Sequence, residues 1–345
     1  MTPEFWQGKR VFLTGHSGFK GGWLALWLQQ LGAEVVGYSL DPPSDPNLFT
    51  LARVADGMAS IRGDICDLAS LEAAVREHRP EIVIHMAAQA LVRRSYVEPV
   101  ETYAANVMGT VNLLEAVRRT ACARAVLVIT SDKCYENRNW YWGYRENEAM
   151  GGYDPYSSSK GCAELVTAAY RRSYFGDGPA TASARAGNVI GGGDWAEDRL
   201  SRVCGRALFR GERVRIRNPR AVRPWQHVLE PLHGYLMLLE TLWTDAAAVA
   251  DGWNFGPEDQ DTWPVAEVVG TVVKLWGGTA RWVADNTTHP HEAATLRLDC
   301  SKARQILGWR PILALDSALE WVAEWYKRYS TRADMRAATL EQICR

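Results

Sequence analysis

"RVFLTGHSGFKGGWLALWLQQLG", Arg10 to Gly32, changes its hydrophobic period partway along, and that change decides the fold. Its first part, "RVFLTG", is a short apolar run ending in glycine and reads as a buried strand. Its last part, "GGWLALWLQQLG", has helical apolar spacing and a glycine stop. Between them Gly15, Gly18 and Gly21 form a GxxGxxG pattern. Glycines there permit a tight turn and close approach of the backbone to a pyrophosphate. The free N–H groups at a helix N-terminus favour an anion. A plain turn is the alternative reading of such a triplet; the strand–turn–helix context favours a dinucleotide, held around Gly15, Ser17, Gly18, Phe19, Lys20 and Gly21.

The same alternation continues outward. "AEVVGYSL" (Ala33–Leu40) reads as a strand, with a third at Ala59–Arg62. Leu68–His78 has helical spacing and is closed by Pro80. Glu81–Ala88 reads as a strand, Tyr103–Arg119 as a helix and Arg124–Ser131 as a strand. The pattern predicts an α/β fold, a doubly wound parallel (Rossmann) sheet with helices on both faces. From about Gly187 it becomes irregular, basic and tryptophan-rich, which predicts a second, smaller substrate-binding α/β domain. The expected division is 1–186 for the nucleotide-binding domain, with 225–257 returning to it. Segments 187–224 and 258–330 form the smaller domain, and 331–345 a tail, expected as a loosely attached helix.

With 345 residues and 47% hydrophobic composition, the chain has material for a sizeable core. A net charge of −1 offers no general attraction for nucleic acid or an anionic membrane. The seven cysteines have no metal-ligand spacing, so no metal is expected, and they read as reduced thiols of a cytoplasmic protein. "MTPEFWQGKR" has no apolar signal core, and no apolar run approaches the ~20 residues of a membrane span.

The cofactor's ribose should meet the end of the second strand. Asp41 is the only acid there, Ser39 holds the more usual place, and no arginine stands close in sequence. This favours NAD over NADP. Asp64, followed by Ile65, is placed to accept from an adenine amine; a turn-forming Asp is the alternative.

"YDPYSSSKGCAEL" carries Tyr156 and Lys160, four apart and so on one face of a helix. Beside a lysine and a nicotinamide charge, a phenol pKa falls. The phenolate then takes a hydroxyl proton as hydride leaves the same carbon. Upstream, "VITSDKCYEN" ends a strand in Ser131, Asp132 and Lys133, an acid beside a base where a sugar would lie.

The order "TGHSGFKG", "GDICD", "HMAAQ", "NVMGT", "TSDK", "YSSSK", "RAGNVIGGGDW", "RPWQHV", "NFGP" resembles the extended short-chain dehydrogenase/reductases that act on nucleotide sugars, over about residues 8–325. "TGHSGFKG", "TSDKCYEN" and "WGYRENEAMGGYDPYSSSK" most resemble their CDP-glucose 4,6-dehydratase branch. The resemblance implies NAD at the glycine loop and CDP-glucose in the smaller domain. It implies Tyr156 as base with Lys160 as its modulator, Ser131 orienting the sugar's 4-hydroxyl, and Asp132 as the acid. Lys133 stands where the dTDP-sugar relatives have glutamate. Asn106 would support the active-site backbone, and Ala87, Ala88 and Gln89 would lie beneath nicotinamide and sugar.

At the substrate end, Asn188, Arg199, Arg215, Arg217, Arg220, Arg223 and His227 are candidates, because a diphosphate needs arginines able to form paired hydrogen bonds. The resemblance implies Asn188 and Arg223 at the diphosphate and Arg217 near the nucleotide. A solvated basic surface is the alternative, and His227 reads as a structural partner. Trp140 and Trp142 would cover the sugar or pack the domains together. Helices at Tyr103–Arg119 and Lys160–Arg172 suit the homodimer, or tetramer, usual in the family. The reaction so implied is NAD-dependent dehydration of CDP-glucose to its 4-keto-6-deoxy derivative. A nucleotide-sugar 4-epimerase and a non-catalytic NAD sensor are the rivals, besides a dehydratase of another nucleotide sugar. Asp132-Lys133 argues against the first, and the intact Ser131, Tyr156 and Lys160 against the second.

Overall fold

The structure is a computed structural model and describes residues 1–197, 199–277, 281–285 and 296–345. Parts of the stretches assigned to the smaller domain, Asp198, 278–280 and 286–295, lie outside the described residues. In chain order the first strands are β1 (Arg10–Thr14), β2 (Glu34–Ser39), β3 (Ala59–Arg62), β4 (Ile82–His85), β5 (Ala125–Ile129) and β6 (Ala180–Ala186). Then come β7 (Asn188–Ile190), β8 (Val214–Ile216), β9 (Val222–His227), β10 (Gly252–Phe255), β11 (Thr262–Pro264) and β12 (Trp282–Ala284).

Seven strands form one sheet in the order β10-β6-β5-β4-β1-β2-β3, with every pairing parallel. The chain runs outward from β1 to β3, then crosses back to β4. The switch point therefore lies between the C-terminal ends of β1 and β4, where open α/β sheets bind ligands. β4 and β5 are buried at every position, as strands covered on both faces must be. One covering helix, Phe19–Gln30, is buried at every residue from Gly21 to Leu28; its apolar surface runs all the way round. Leu68–His78 and Gly109–Thr120 cover the opposite face through Leu71, Val75, Leu113 and Val117. Beyond β6, β11-β9-β7 and β12-β8 form two small sheets.

Three local differences from the sequence expectation have physical causes. The Glu81–Ala88 strand shortens to β4 because the Met86 and Ala87 N–H groups donate to Thr14 Oγ1, at 3.0 and 3.1 Å, instead of continuing a ladder. The single helix expected at Tyr103–Arg119 contains a π-helical turn, Ala104–Met108, which carries the buried Asn106. The tail is a helix, Met335–Cys344, but it is docked firmly. Thr339 Oγ1 accepts from Trp325 Nε1 at 3.0 Å, and Arg336 donates to Arg53 O at 2.6 Å and to Gln29 Oε1 at 3.0 Å. No helix among the described residues is long and apolar enough to cross a membrane.

Candidate active site

The glycine loop leaves β1 and enters the Phe19–Gln30 helix with Gly18 as N-cap and no capping side chain, so the first N–H groups are not taken by the protein's own caps. Gly15 has φ +77°, and a Cβ there would lie 2.7 Å from Ala87 N. A Cβ on Gly21 would lie 2.1 Å from Gly15 O. Both sites exclude any side chain, whereas Gly18 would meet only Gly15 O at 3.3 Å. Beneath the loop Thr14 Oγ1 meets His85 Nδ1 at 2.8 Å, and His85 Nε2 meets Thr110 Oγ1 at 3.2 Å. Burial, helped by Lys160, lowers His85 to about 3 and keeps its ring neutral. This cradle fits a pyrophosphate.

At the ribose end the geometry differs from the sequence expectation. Ser39 meets His16 Nδ1 at 3.1 Å, and His16 Nε2 meets Ser60 Oγ at 2.7 Å. The ring occupies the space a side chain on Gly37 would need, since a Cβ there would lie 2.4 Å from it. His16 was not legible as a site residue; the one sequence signal is the glycine in mid-strand. Asp41 is not alone: Arg62 Nη2, from β3, lies 2.7 Å from its carboxylate. The sheet brings an arginine here that sequence distance hides. Asp64 uses Oδ1 to accept from Cys66 N at 2.9 Å, a turn-forming role, while Ile65 is buried.

The Ala87–Gln89 loop is fastened to the π-helical turn. Asn106 Oδ1 accepts from Gln89 N at 2.8 Å, and Asn106 Nδ2 donates to Gln89 O at 3.0 Å and to Ser159 Oγ at 2.8 Å. The Gln89 side chain turns into its own loop, bonding Leu91 O at 3.0 Å and Thr102 Oγ1 at 2.9 Å.

Asp154 caps the helix Pro155–Ser173 by accepting from Ser157 N at 2.9 Å, which fixes Tyr156 and Lys160 on the face toward β5. Lys160 Nζ donates to Ile129 O at 3.4 Å. Burial lowers Lys160 to about 8, opposed by Glu164. Burial raises the Tyr156 phenol, while its hydrogen bond with Ser131 and the charge of Arg199 act downward. In the chain by itself burial outweighs these neighbouring groups at the phenol. Lys20, half-buried, donates to Tyr235 Oη at 3.2 Å. Its burial, with Lys160 and Arg199 close, lowers it to about 7.

Ser131 caps a short 3-10 turn, Asp132–Cys134, that follows β5. Ser131 Oγ donates to Asp132 Oδ1 at 2.9 Å and accepts from Lys133 N at 3.3 Å. Burial raises the Asp132 carboxyl above its ordinary value, with Lys133, Ser131 and Arg223 acting against it. Gly187 backs this carboxyl closely, as a Cβ there would lie 2.9 Å from Asp132 Oδ2.

From the smaller sheets, β7 and β9 pair Asn188 with Trp225, setting half-buried Asn188 and buried Arg223 near the ends of β5 and β6. Arg199 reaches Ala90 O at 3.3 Å. Arg217 is half-buried, and Arg215 and Arg220 are exposed. His227 is not at the site: it is fully buried, edge-on to Trp23 at 5.8 Å and Trp321 at 5.7 Å. Trp140 packs on Tyr144 at 5.1 Å beside Leu296 and Leu298, while Trp142 is 65% exposed with its ring 6.0 Å from that of Trp140.

The family model for GDP-mannose 4,6 dehydratase matches residues 12–321. A CDP-glucose 4,6-dehydratase of Salmonella typhimurium is 54% identical over 346 residues, covering 99% of this chain and 96% of its own. A dTDP-glucose 4,6-dehydratase of Xanthomonas campestris pv. campestris is 27% identical, with 91% and 92% covered. Among solved structures, the dTDP-glucose 4,6-dehydratase of Bacillus anthracis in complex with NAD has a TM-score of 0.78 and 21% identity. It covers 94% of this chain and 98% of that chain, a likeness of fold. The match takes in the glycine loop, the turn after β5, the Tyr156–Lys160 helix and the arginine strand β9, and the chain belongs to the GDP-mannose 4,6-dehydratase family of extended short-chain dehydrogenase/reductases.

Proposed function

We propose that the protein is a CDP-glucose 4,6-dehydratase that uses NAD, converting CDP-D-glucose to CDP-4-keto-6-deoxy-D-glucose. The observation that carries this reading is the buried Asp132 beside Lys133, its carboxyl raised by burial, on one turn with Ser131 and next to Tyr156. The 54% identity to a CDP-glucose 4,6-dehydratase supports the choice of nucleotide sugar.

The glycine loop would hold NAD, which would supply the hydride acceptor for carbon 4 and the hydride donor for carbon 6. The chain's own residues manage protons and orientation. Ser131 aligns the 4-hydroxyl, and Tyr156 removes its proton. Lys160 orients the cofactor ribose and supplies positive charge beside the phenolate. A 4-ketone acidifies the hydrogen on carbon 5. Lys133, or a water it holds, takes that proton, Asp132 donates one to the hydroxyl departing from carbon 6 as water, and a proton returns to carbon 5 when hydride reaches carbon 6. Asn188 and Arg223, with Arg199 and Arg217, hold the diphosphate and nucleotide through the segments 187–224 and 258–330.

The working unit is a homodimer. Val100, Met108 and Leu165 are 81%, 52% and 60% exposed, and they lie on the helices around Pro99–Thr120 and Pro155–Ser173. Such apolar side chains on neighbouring helices suit a four-helix contact with a second copy. Size-exclusion chromatography with light scattering tests this. The activity is tested by supplying NAD with CDP-, dTDP- and UDP-glucose. The reading expects a 4-keto-6-deoxy product from CDP-glucose with a far higher kcat/KM. Equal specificity constants contradict the nucleotide, and a product epimeric at carbon 4 contradicts the reaction.

A further inference from the structure

The ion pair Glu164–Arg185 takes no part in the proton transfers above, yet its side chains are only 4% and 5% exposed. Glu164 lies on the helix of Tyr156 and Lys160, one turn beyond Lys160. Its carboxylate accepts from Thr130 Oγ1, from Ser183 Oγ at 2.6 Å and from Arg185 Nη2 at 2.7 Å. Arg185, on β6, donates through Nη1 to Tyr135 Oη at 2.5 Å and to Glu146 O at 3.0 Å. Tyr135 Oη donates onward to Asn254 Oδ1 at 2.8 Å. Thr130 and Tyr135 bracket the turn that carries Ser131, Asp132 and Lys133. Both ends of that turn are therefore tied to one ion pair.

Stability alone does not account for such a pair. Desolvating two charges costs roughly what their attraction returns, and apolar groups of the same volume pack as well. What a buried carboxylate and a guanidinium fork supply is direction. Resting on the dehydratase reading, we propose that Glu164 and Arg185 are positioning residues for water loss. Through Thr130 and Tyr135 they fix where Asp132 and Lys133 meet carbons 6 and 5. Tyr156 and Lys160 are rooted in the helix itself, and of the clamped turn only Ser131 serves oxidation at carbon 4, whereas elimination draws on both Asp132 and Lys133, so elimination depends on this clamp more than oxidation does. A displacement of about 1 Å in such a group costs on the order of 10²-fold in rate.

Glu164 also acts on Lys160, so the clean probes are at the two ends of the turn. Tyr135→Phe removes one hydroxyl and keeps the ring stacked on Tyr144, 5.2 Å away. Thr130→Val removes the other hydroxyl at equal size, and Thr130→Ser retains it. In rapid mixing with CDP-glucose, Tyr135→Phe and Thr130→Val should lower kcat by about 10- to 100-fold with little change in KM. Reduced nicotinamide and a 4-keto hexose should accumulate, and Thr130→Ser should behave like the parent. In the protein without substrate, amide hydrogen exchange over Ser131–Cys134 should accelerate in the same two variants while Tm stays within a few degrees. Equal slowing of oxidation and elimination, parental kcat in both variants, or unchanged exchange over that turn would overturn the proposal. The exchange measurement needs no substrate, so it judges the clamp even if CDP-glucose is not turned over.

Discussion

Arg62 Nη2 lies 2.7 Å from the Asp41 carboxylate, joining the C-terminal ends of β3 and β2 where a cofactor ribose would rest. Both side chains are mostly exposed, so the pair adds less than about 1 kcal/mol to stability. Its consequence is for binding: the acid that excludes a 2′-phosphate is partly neutralised by an arginine able to bind one. Asp41→Ser should release Arg62 and shift the NADP/NAD ratio of affinities toward NADP by about tenfold, the scale of one charge-assisted hydrogen bond. Titration calorimetry with both cofactors reads this. An unchanged ratio would show that Arg62 does not face the ribose.

The glycine loop makes a graded prediction. Gly21→Ala forces a Cβ to within 2.1 Å of Gly15 O, so backbone must move where the pyrophosphate sits. Gly18→Ala meets only one oxygen at 3.3 Å and keeps an ordinary φ of −80°. NAD binding should be lost in the first and weakened much less in the second, with both variants folded by circular dichroism. Similar affinities in the two would place the pyrophosphate elsewhere.

Two variants should stop the reaction at different points. Tyr156→Phe lacks the group that takes the 4-hydroxyl proton and should lower turnover by ~10²–10⁴-fold without forming reduced nicotinamide. Asp132→Asn keeps that first step but cannot protonate the departing hydroxyl. Reduced nicotinamide should therefore appear and persist when excess enzyme meets substrate. Absorbance after rapid mixing, with product analysis on quenching, separates the two. Near-parental formation of 6-deoxy product by either variant removes that residue from its role.

Acid should destabilise the fold through buried histidines. Burial lowers His16 to about 4, His85 to about 3 and His227 to about 3, against an ordinary 6.5. Their folded values lie below the unfolded one, so the stability they contribute is present above about pH 6.5. It is lost as pH falls from there toward 3, at up to ~1.4 kcal/mol per pH unit per group. His227→Phe fits the same space between Trp23 and Trp321 and removes one titrating ring. Its Tm should fall less steeply between pH 6.5 and 4.5 than that of the parent. Parallel Tm profiles would mean that His227 is not a source of the acid sensitivity.

The sheet was legible because strand and helix differ in period and the strands ahead of β6 alternate with helices. The ends of Ala59–Arg62 and Leu68–His78 were readable for the same reason. Local motifs were readable where chemistry and spacing lie within a few residues, as at Gly15–Gly21, Ser131–Lys133 and Tyr156–Lys160. What stayed hidden is what the fold brings together from afar. Arg62 reaches Asp41 only because β2 and β3 pair, and His16 reaches Ser39 and Ser60 for the same reason. Glu164 and Arg185 look like ordinary charges on a helix and a strand until β5 and β6 lie side by side. His227, read as a structural partner, packs as one: the end of β9 buries its ring against Trp23 and Trp321, partners far away in sequence.

The central claim is that one site removes hydride from carbon 4 and delivers it to carbon 6 after water leaves. The direct measurement is turnover of CDP-glucose deuterated at carbon 4, with the product examined by NMR and mass spectrometry. The account predicts a 4-keto-6-deoxy hexose with the deuterium on carbon 6 and one solvent-derived hydrogen at carbon 5. Deuterium retained at carbon 4 of a hexose without a ketone, inverted or unchanged, would contradict it.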